Sequence, residues 1–302
     1  MSALPDGQAG LRWRTTRFDV DCTHVRVMAI VNVTPDSFSD GGRAFPVRAA
    51  IERCEALVRE GAHILDIGGE STRPGAAEVP ADEEWRRVRP VLEAALRLGV
   101  PVSLDTRKAR VMHPALDLGV DIVNDVSALR DPAALAVVAR HPQAGVCLMH
   151  MKGEPATMQA EARYVDVVAE VRDFLAGRLE QALAAGIAAG RVALDPGYGF
   201  AKTAEQGWQL LARQAELRAL RRPLVVGLSR KSMLGAATGR AVGERLAAGV
   251  AAALLAAQRG ASVLRVHDVA ATLDALAVWR HAGAGAGEAA VPGAERAAPG
   301  PR

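Results

Sequence analysis

Eleven residues, Asn32-Val33-Thr34-Pro35-Asp36-Ser37-Phe38-Ser39-Asp40-Gly41-Gly42, gather an amide, two carboxylates, three hydroxyls and an aromatic ring. They follow an apolar run, Val25 to Val31, that reads as a buried strand. Pro35 and the Gly41-Gly42 pair exclude a regular helix or strand across the segment. Polar groups crowded just past a buried strand suit an active-site loop; the alternative is a solvated surface loop.

The pattern recurs. Asp105, Asn124 and Asp195 each close an apolar strand-like run. Two carboxylates and an amide converging on one mouth suit a flat heterocycle carrying paired N–H donors and ring acceptors. Lys231 and Arg265 bring positive charge, and His267 follows Arg265 by two, on the same face of a strand. Arginine with histidine on one face suits a phosphate or diphosphate. Taken singly, each charge reads equally well as a surface ion pair. At equivalent positions on separate strands, together, they read as a site.

The elements that must position them alternate. Strand-like runs occur at Val25–Val31, Leu65–Ile67, Val102–Leu104, Ile122–Val123, Val146–Leu148, Val192–Leu194, Leu224–Val226 and Val263–Leu264. Helical spacing fits Pro46–Glu60, Asp82–Leu98, Lys108–Leu118, Pro132–Arg140, Tyr164–Ala185, Ala204–Leu220, Gly243–Arg259 and Val269–Trp279. Eight such alternations indicate an α/β fold, a single-domain (β/α)8 TIM barrel. An open doubly wound sheet is the alternative, weakened because no glycine-rich dinucleotide fingerprint follows the first strand. The organisation expected is an extension over 1–24 with a lead-in hairpin between Leu11 and Val20, a barrel over 25–282, and a disordered tail over 283–302, rich in Ala, Gly and Pro.

A net charge of +3 among 302 residues, with no run of lysine or arginine, gives no signature of nucleic-acid binding. The most apolar stretch, Gly249 to Ala257, falls far short of the roughly 20 residues that span a bilayer, so no membrane role is expected. Cys22, Cys54 and Cys147 lack metal-ligand spacing. Sparse cysteine and no signal peptide point to the cytoplasm. His150, on an apolar run, reads as a packed core histidine ahead of a pocket-lining one.

The ordered set Asn32 to Gly42, Gly68-Gly69-Glu70-Ser71-Thr72-Arg73-Pro74-Gly75, Asp105-Thr106, Asn124-Asp125, Leu148-Met149-His150-Met151, Asp195-Pro196-Gly197-Tyr198-Gly199-Phe200, Ser229-Arg230-Lys231-Ser232 and Arg265-Val266-His267-Asp268 resembles the dihydropteroate synthase family from Met28 to about Trp279. That resemblance implies joining a dihydropterin methyl diphosphate to p-aminobenzoate, with release of diphosphate. It implies that Asp105, Asn124, Asp195 and Lys231 hold the pterin. Asn32, Arg265 and His267 would hold the diphosphate, with Mg2+ between Asn32 and the phosphate oxygens. Thr72, Arg73, Pro74, Phe200 and Ser229 would shape the aminobenzoate pocket, and Met149 and Gly227 would line the substrate site. Phe38 and Asp40 would belong to a mobile loop, with Asp40 stabilising a developing cation. A homodimer is also implied.

Two departures from the family's pattern lie beside the pocket: Ala128-Leu129-Arg130 where a glycine-containing run is common, and Gly207 where asparagine is frequent. Two rival functions share the fold. A pterin-dependent methyltransferase would use Asp105, Asn124 and Asp195 but not Thr72-Arg73 or the Arg265-x-His267 pair. A non-catalytic pterin-binding paralogue would keep the site without turnover.

Overall fold

A computed structural model describes residues 10–34, 45–71, 77–155 and 157–284. Phe38, Asp40, Thr72, Arg73 and Pro74, the start of the chain and the tail beyond residue 284 lie outside them.

Among the described residues the chain opens with an antiparallel hairpin, β1 (Arg12–Arg14) and β2 (Asp19–Asp21). Strand and helix then alternate: β3 (Arg26–Asn32), α1 (Phe45–Arg59), β4 (Ile64–Gly68), α2 (Ala81–Ala95), β5 (Val102–Asp105), α3 (Ala109–Leu118), β6 (Ile122–Asp125), α4 (Pro132–Arg140), β7 (Gly145–Met149), α5 (Val167–Ala184), β8 (Val192–Asp195) and α6 (Ala204–Ala212). β9 (Val225–Val226) is followed by two helices, α7 (Ser232–Thr238) and α8 (Leu246–Gln258), before β10 (Val263–Val266) and α9 (Val269–Ala284). α9 thus runs past the boundary expected at residue 282.

β3 to β10 form one eight-stranded parallel sheet in the order β8-β7-β6-β5-β4-β3-β10-β9. A parallel bridge between Leu194 and Leu224, with Leu194 N donating to Pro223 O at 2.9 Å, joins its two ends into a barrel. This is the (β/α)8 architecture expected.

Side chains alternate along each strand. Leu65, Ile67, Leu104, Val123, Val146, Leu148, Val192 and Leu264 belong to the core shared with the helices. Met28, Ile64, Ile122, Cys147, Ala193, Val225 and Val263 pack into a separate cluster with Trp13, Val20 and Cys22. The hairpin therefore drives Trp13 against the lowest inward-facing layer of the barrel. Its indole N–H donates to Arg191 O at 3.0 Å, so the plug is polar-satisfied as well as buried.

Two features differ from the sequence reading. The helix expected over Ala204–Leu220 breaks after Ala212 into a 3-10 segment, Gln214–Leu220. Gln214 is fully buried there and accepts from Tyr198 Oη at 2.9 Å while donating to Ala256 O at 2.9 Å. α7, which no apolar stripe announced, ends on left-handed Gly239. Packing it against α6 accounts for Gly207: a Cβ there would stand 2.8 Å from Met233 Sδ.

Candidate active site

Two residues above the lowest inward-facing layer, the barrel interior turns polar. Period-two alternation carries Ile64 to Asp66, Ile122 to Asn124, Ala193 to Asp195 and Val263 to Arg265, each on a different strand. Asp105, at the end of β5, joins them. Asp66, Asp105, Asn124 and Asp195 are all buried.

Arg265 ties this layer together. Its Nε donates to Asp66 Oδ2 at 2.6 Å and its Nη2 to Asp105 Oδ2 at 2.6 Å. Asn124 Nδ2 donates to the same Asp66 Oδ2 at 3.1 Å. The other oxygens, Asp66 Oδ1 and Asp105 Oδ1, are buried without a hydrogen-bond partner. Buried acceptors of that kind are costly unless something supplies N–H donors. Two such carboxylate oxygens in one layer suit a ligand with N–H donors on its edge.

The charges reinforce this. Burial pushes the Asp105 carboxyl up to about 7, against the pull of Arg265. Burial would lower Arg265, but Asp66 and Asp105 more than reverse that and hold the guanidinium charged. The short contacts put the shared positive charge on Arg265. Asp195 is raised by burial and opposed by the Gly197 N–H, Lys231 and Arg265. The Gly197 N–H donates to Asp195 Oδ1 at 2.7 Å and fixes one face of that carboxylate.

Around the polar layer stand the other residues singled out from sequence. Lys231 Nζ lies 4.1 Å from the centroid of the Phe200 ring, a cation–π contact. Met149 and Phe200 pack with Val126, Met151, Met158 and Ala201 as an apolar wall. Ser229 Oγ is 3.0 Å from His267 Nδ1, so the segments after β9 and β10 meet. Gly227 sits beside Arg265, and Asn32 ends β3 in register with Gly68. The structure thus brings Asp105, Asn124 and Arg265 together through Asp66, sets Lys231 over Phe200, packs Phe200 with Met149, and places Ser229 against His267. Arg265 differs from its reading as a phosphate ligand alone, because two of its nitrogens hold carboxylates.

Thr72, Arg73 and Pro74 lie outside the described residues, but both stems of their segment are fastened. Glu70 Oε2 accepts from Val79 N at 3.1 Å, and Lys108 bridges Glu70 to Glu84. Arg107 pairs with Glu70, Glu78 and Glu154. A cavity of about 450 Å3 lies here, lined in part by Arg107, Arg110, Arg130 and Glu78, and none of the five polar-layer residues lines it. Its Arg107 is satisfied by acids.

The departures flanking the site are structurally absorbed. Ala128 and Leu129 adopt φ of 54° and 53°, a left-handed backbone that glycine would enter without strain. Asp125 compensates by accepting from Ser127 N and Leu129 N, both at 2.7 Å.

Sequence reasoning missed Asp66. It stands between Leu65 and Ile67 in a run that reads as continuous apolar strand. The signal was alternation: Ile64 faces inward, so Asp66 must as well. Among the described residues no three His, Cys, Asp or Glu side chains gather as a metal cage, and no helix is long and apolar enough to cross a membrane.

Residues 28–267 match the family described as pterin binding enzyme. The chain is 50% identical over 277 residues to the dihydropteroate synthase of Neisseria meningitidis serogroup B, covering 90% of this chain and 97% of that one. Dihydropteroate synthase of Xanthomonas albilineans, solved with 4-aminobenzoic acid, superposes with a TM-score of 0.85 at 50% identity, over 90% of this chain and 98% of the other. The Burkholderia cenocepacia enzyme complexed with 7,8-dihydropteroate gives a TM-score of 0.84 at 47% identity, over 91% and 98% of the two chains.

Proposed function

The chain belongs to the pterin-binding enzymes and, within them, to the dihydropteroate synthases, and we propose that it joins a dihydropterin methyl diphosphate to p-aminobenzoate, releasing diphosphate and forming 7,8-dihydropteroate. The observation that carries this reading is the convergence of Asp66, Asp105, Asn124, Asp195 and Arg265 on one buried layer.

In this reading the pterin lies flat in the barrel mouth. Asp195 and the second oxygens of Asp66 and Asp105 accept its N–H groups, and Asn124 can donate to a ring acceptor or accept from an N–H. Lys231 and Arg265 add positive charge above the ring. Ser229 and His267 lie toward the diphosphate end, and Phe200 toward p-aminobenzoate. Thr72, Arg73 and Pro74 complete the aminobenzoate pocket. The pterin C–O bond to diphosphate breaks, the aniline nitrogen forms the new C–N bond, and the amine proton passes to solvent. Asp40 and Phe38, in the segment after β3, are assigned the electrostatic support and cover of the developing cation.

Mg2+ suits this arrangement. It prefers hard oxygen ligands, keeps several waters and is commonly held by one or two protein groups together with substrate phosphates. Asn32 offers one such oxygen at the end of β3, and a dedicated cage is not required. When bound, the metal would neutralise diphosphate charge and make it a better leaving group. A homodimer is in keeping with the large apolar side chains exposed on α8 and α9, Leu246, Leu255 and Val278; light scattering of wild type and Leu246→Glu would test it. A cytoplasmic location is in keeping with three buried, unpaired cysteines.

The test is incubation of the protein with the pterin diphosphate, p-aminobenzoate and Mg2+, followed by chromatographic detection of dihydropteroate. Pterin binding without product would point to a non-catalytic paralogue. Methyl transfer from a methylated pterin would point to the methyltransferase reading, which has no use for p-aminobenzoate.

A further inference from the structure

Lys202 is a buried amine to which the reaction assigns no part. It lies seven residues after Asp195, at the close of the segment following β8, and only 3% of its surface is exposed. Its Nζ stands 3.0 Å from Gly197 O, 3.0 Å from Phe200 O and 2.9 Å from His150 Nδ1. An ammonium has three donors, and here each has one acceptor. None of the three is a carboxylate, which is unusual for a lysine this deeply buried.

With the Lys202 ammonium as donor, Nδ1 accepts, and the ring is neutral with its proton on Nε2. Burial, with Lys202 next, lowers His150 to about 2. Burial likewise lowers Lys202 to about 7, opposed by the charge of Asp195, with Lys231 and Lys152 adding to the lowering. The imidazole is itself held, edge-on to Phe174 with centroids 4.9 Å apart.

The same atoms interlock the ends of β7 and β8. His150 N donates to Asp195 O at 2.9 Å, and Phe200 N donates to Gly197 O at 3.1 Å. Gly197 has φ of +67°, and a Cβ on it would fall 2.0 Å from His150 O. Lys202 therefore ties together the two carbonyls that bound the Gly197–Phe200 turn. One end of that turn donates to the Asp195 carboxylate, and the other carries the ring against which Lys231 rests.

We propose that Lys202, braced by neutral His150, is a positioning residue for the pterin half of the site: it holds the turn that aims the Asp195 carboxylate and seats Phe200 beneath Lys231. The proposal rests on the assignment of Asp195 to the pterin.

The test compares Lys202→Met, His150→Leu and His150→Gln, well below their melting temperatures. Calorimetry with 6-hydroxymethylpterin reads binding, and hydrogen exchange at the Gly197 amide reads the turn without any ligand. Lys202→Met and His150→Leu should each weaken the pterin about tenfold or more and speed Gly197 exchange to a similar degree, the effect of losing a buried hydrogen bond and stranding its partner. His150→Gln, which keeps an acceptor, should restore most of both. A Lys202→Met protein with affinity and exchange within about twofold of wild type overturns the proposal. If the wild type binds the pterin but makes no dihydropteroate, the functional reading fails while these readouts still judge Lys202. If Lys202→Met does not fold, histidine 15N spectra of the wild type decide: His150 should stay a neutral ring from about pH 5 to 9, with its proton on Nε2 while Lys202 is an ammonium, and a titration near its ordinary value overturns the contact.

Discussion

Arg265 Nε lies 2.6 Å from Asp66 Oδ2, and that contact joins opposite ends of the chain inside the barrel. Asp66 comes from the second barrel strand and Arg265 from the last, yet β3 alone separates β4 from β10 in the sheet. Closing the barrel brings them together. A buried carboxylate pair with one guanidinium between them is stable only while the guanidinium stays.

Arg265→Ala should therefore destabilise the protein by roughly 3–5 kcal/mol, the usual result of stranding buried charge. Arg265→Lys should recover part of the loss, because a single ammonium cannot reach two carboxylates in Arg265's forked geometry. Urea unfolding of the three proteins checks this. A loss below about 1 kcal/mol for the alanine variant would mean that the carboxylates find protons or other partners without cost.

Asp66→Asn keeps the shape of the side chain and removes its charge. The amide retains one acceptor for Asn124 and Arg265 but turns an N–H toward the ligand where a carboxylate oxygen stood. Pterin affinity should fall by about 1.5–3 kcal/mol, in the range of a hydrogen bond to a charged group. Calorimetry with a simple pterin reads it, and unchanged affinity would remove Asp66 from the site.

Gly197→Ala should be among the most damaging single-methyl additions in this protein. The new Cβ would meet His150 O at 2.0 Å from a backbone at φ +67°. Gly119→Ala is the control: its φ is +98°, but no atom lies within 4 Å of the added Cβ. The control should cost about 1–2 kcal/mol, the left-handed strain alone. Gly197→Ala should cost clearly more and abolish pterin binding. Equal melting temperatures for the two variants would contradict the close approach.

His150 makes stability pH-dependent in a defined direction. Its folded value of about 2 lies below the ordinary 6.5, so between those values the unfolded chain binds a proton that the native chain does not. This contribution is intact above pH 6.5 and is lost as pH falls toward 2, at about 1.4 kcal/mol per pH unit. Between pH 7.5 and 5 the wild type should lose about 2 kcal/mol more than His150→Gln, by the same relation. Parallel pH profiles for the two proteins would show that His150 accepts a proton while folded.

Much of this was legible in the residues, and what was not has physical causes. Eight apolar runs separated by helical periodicity announced the barrel, and the polar residue ending a run marked Asp105, Asn124 and Asp195. Asp66 was hidden because Leu65 and Ile67 face the helices and make the run look uniformly apolar. α7 was hidden because its seven residues include Gly235 and offer little stripe. The break before Gln214 depends on a buried hydrogen bond to Tyr198, a tertiary contact that local periodicity does not carry. Lys202 stood in view beside the Asp195 motif, but its three acceptors come from two separate segments and meet only in the folded chain.

The most direct test of the account is a product balance. Wild type and Asp195→Asn are each given the pterin diphosphate, p-aminobenzoate and Mg2+, and dihydropteroate and diphosphate are measured together. Wild type should release the two in equal amounts. Asp195→Asn should lose about tenfold or more in kcat/KM for the pterin substrate, since an amide cannot accept two N–H donors as the carboxylate does. Diphosphate released without dihydropteroate, or an Asp195→Asn protein that matches wild type, would contradict the assignment of this barrel mouth to pterin recognition and C–N bond formation.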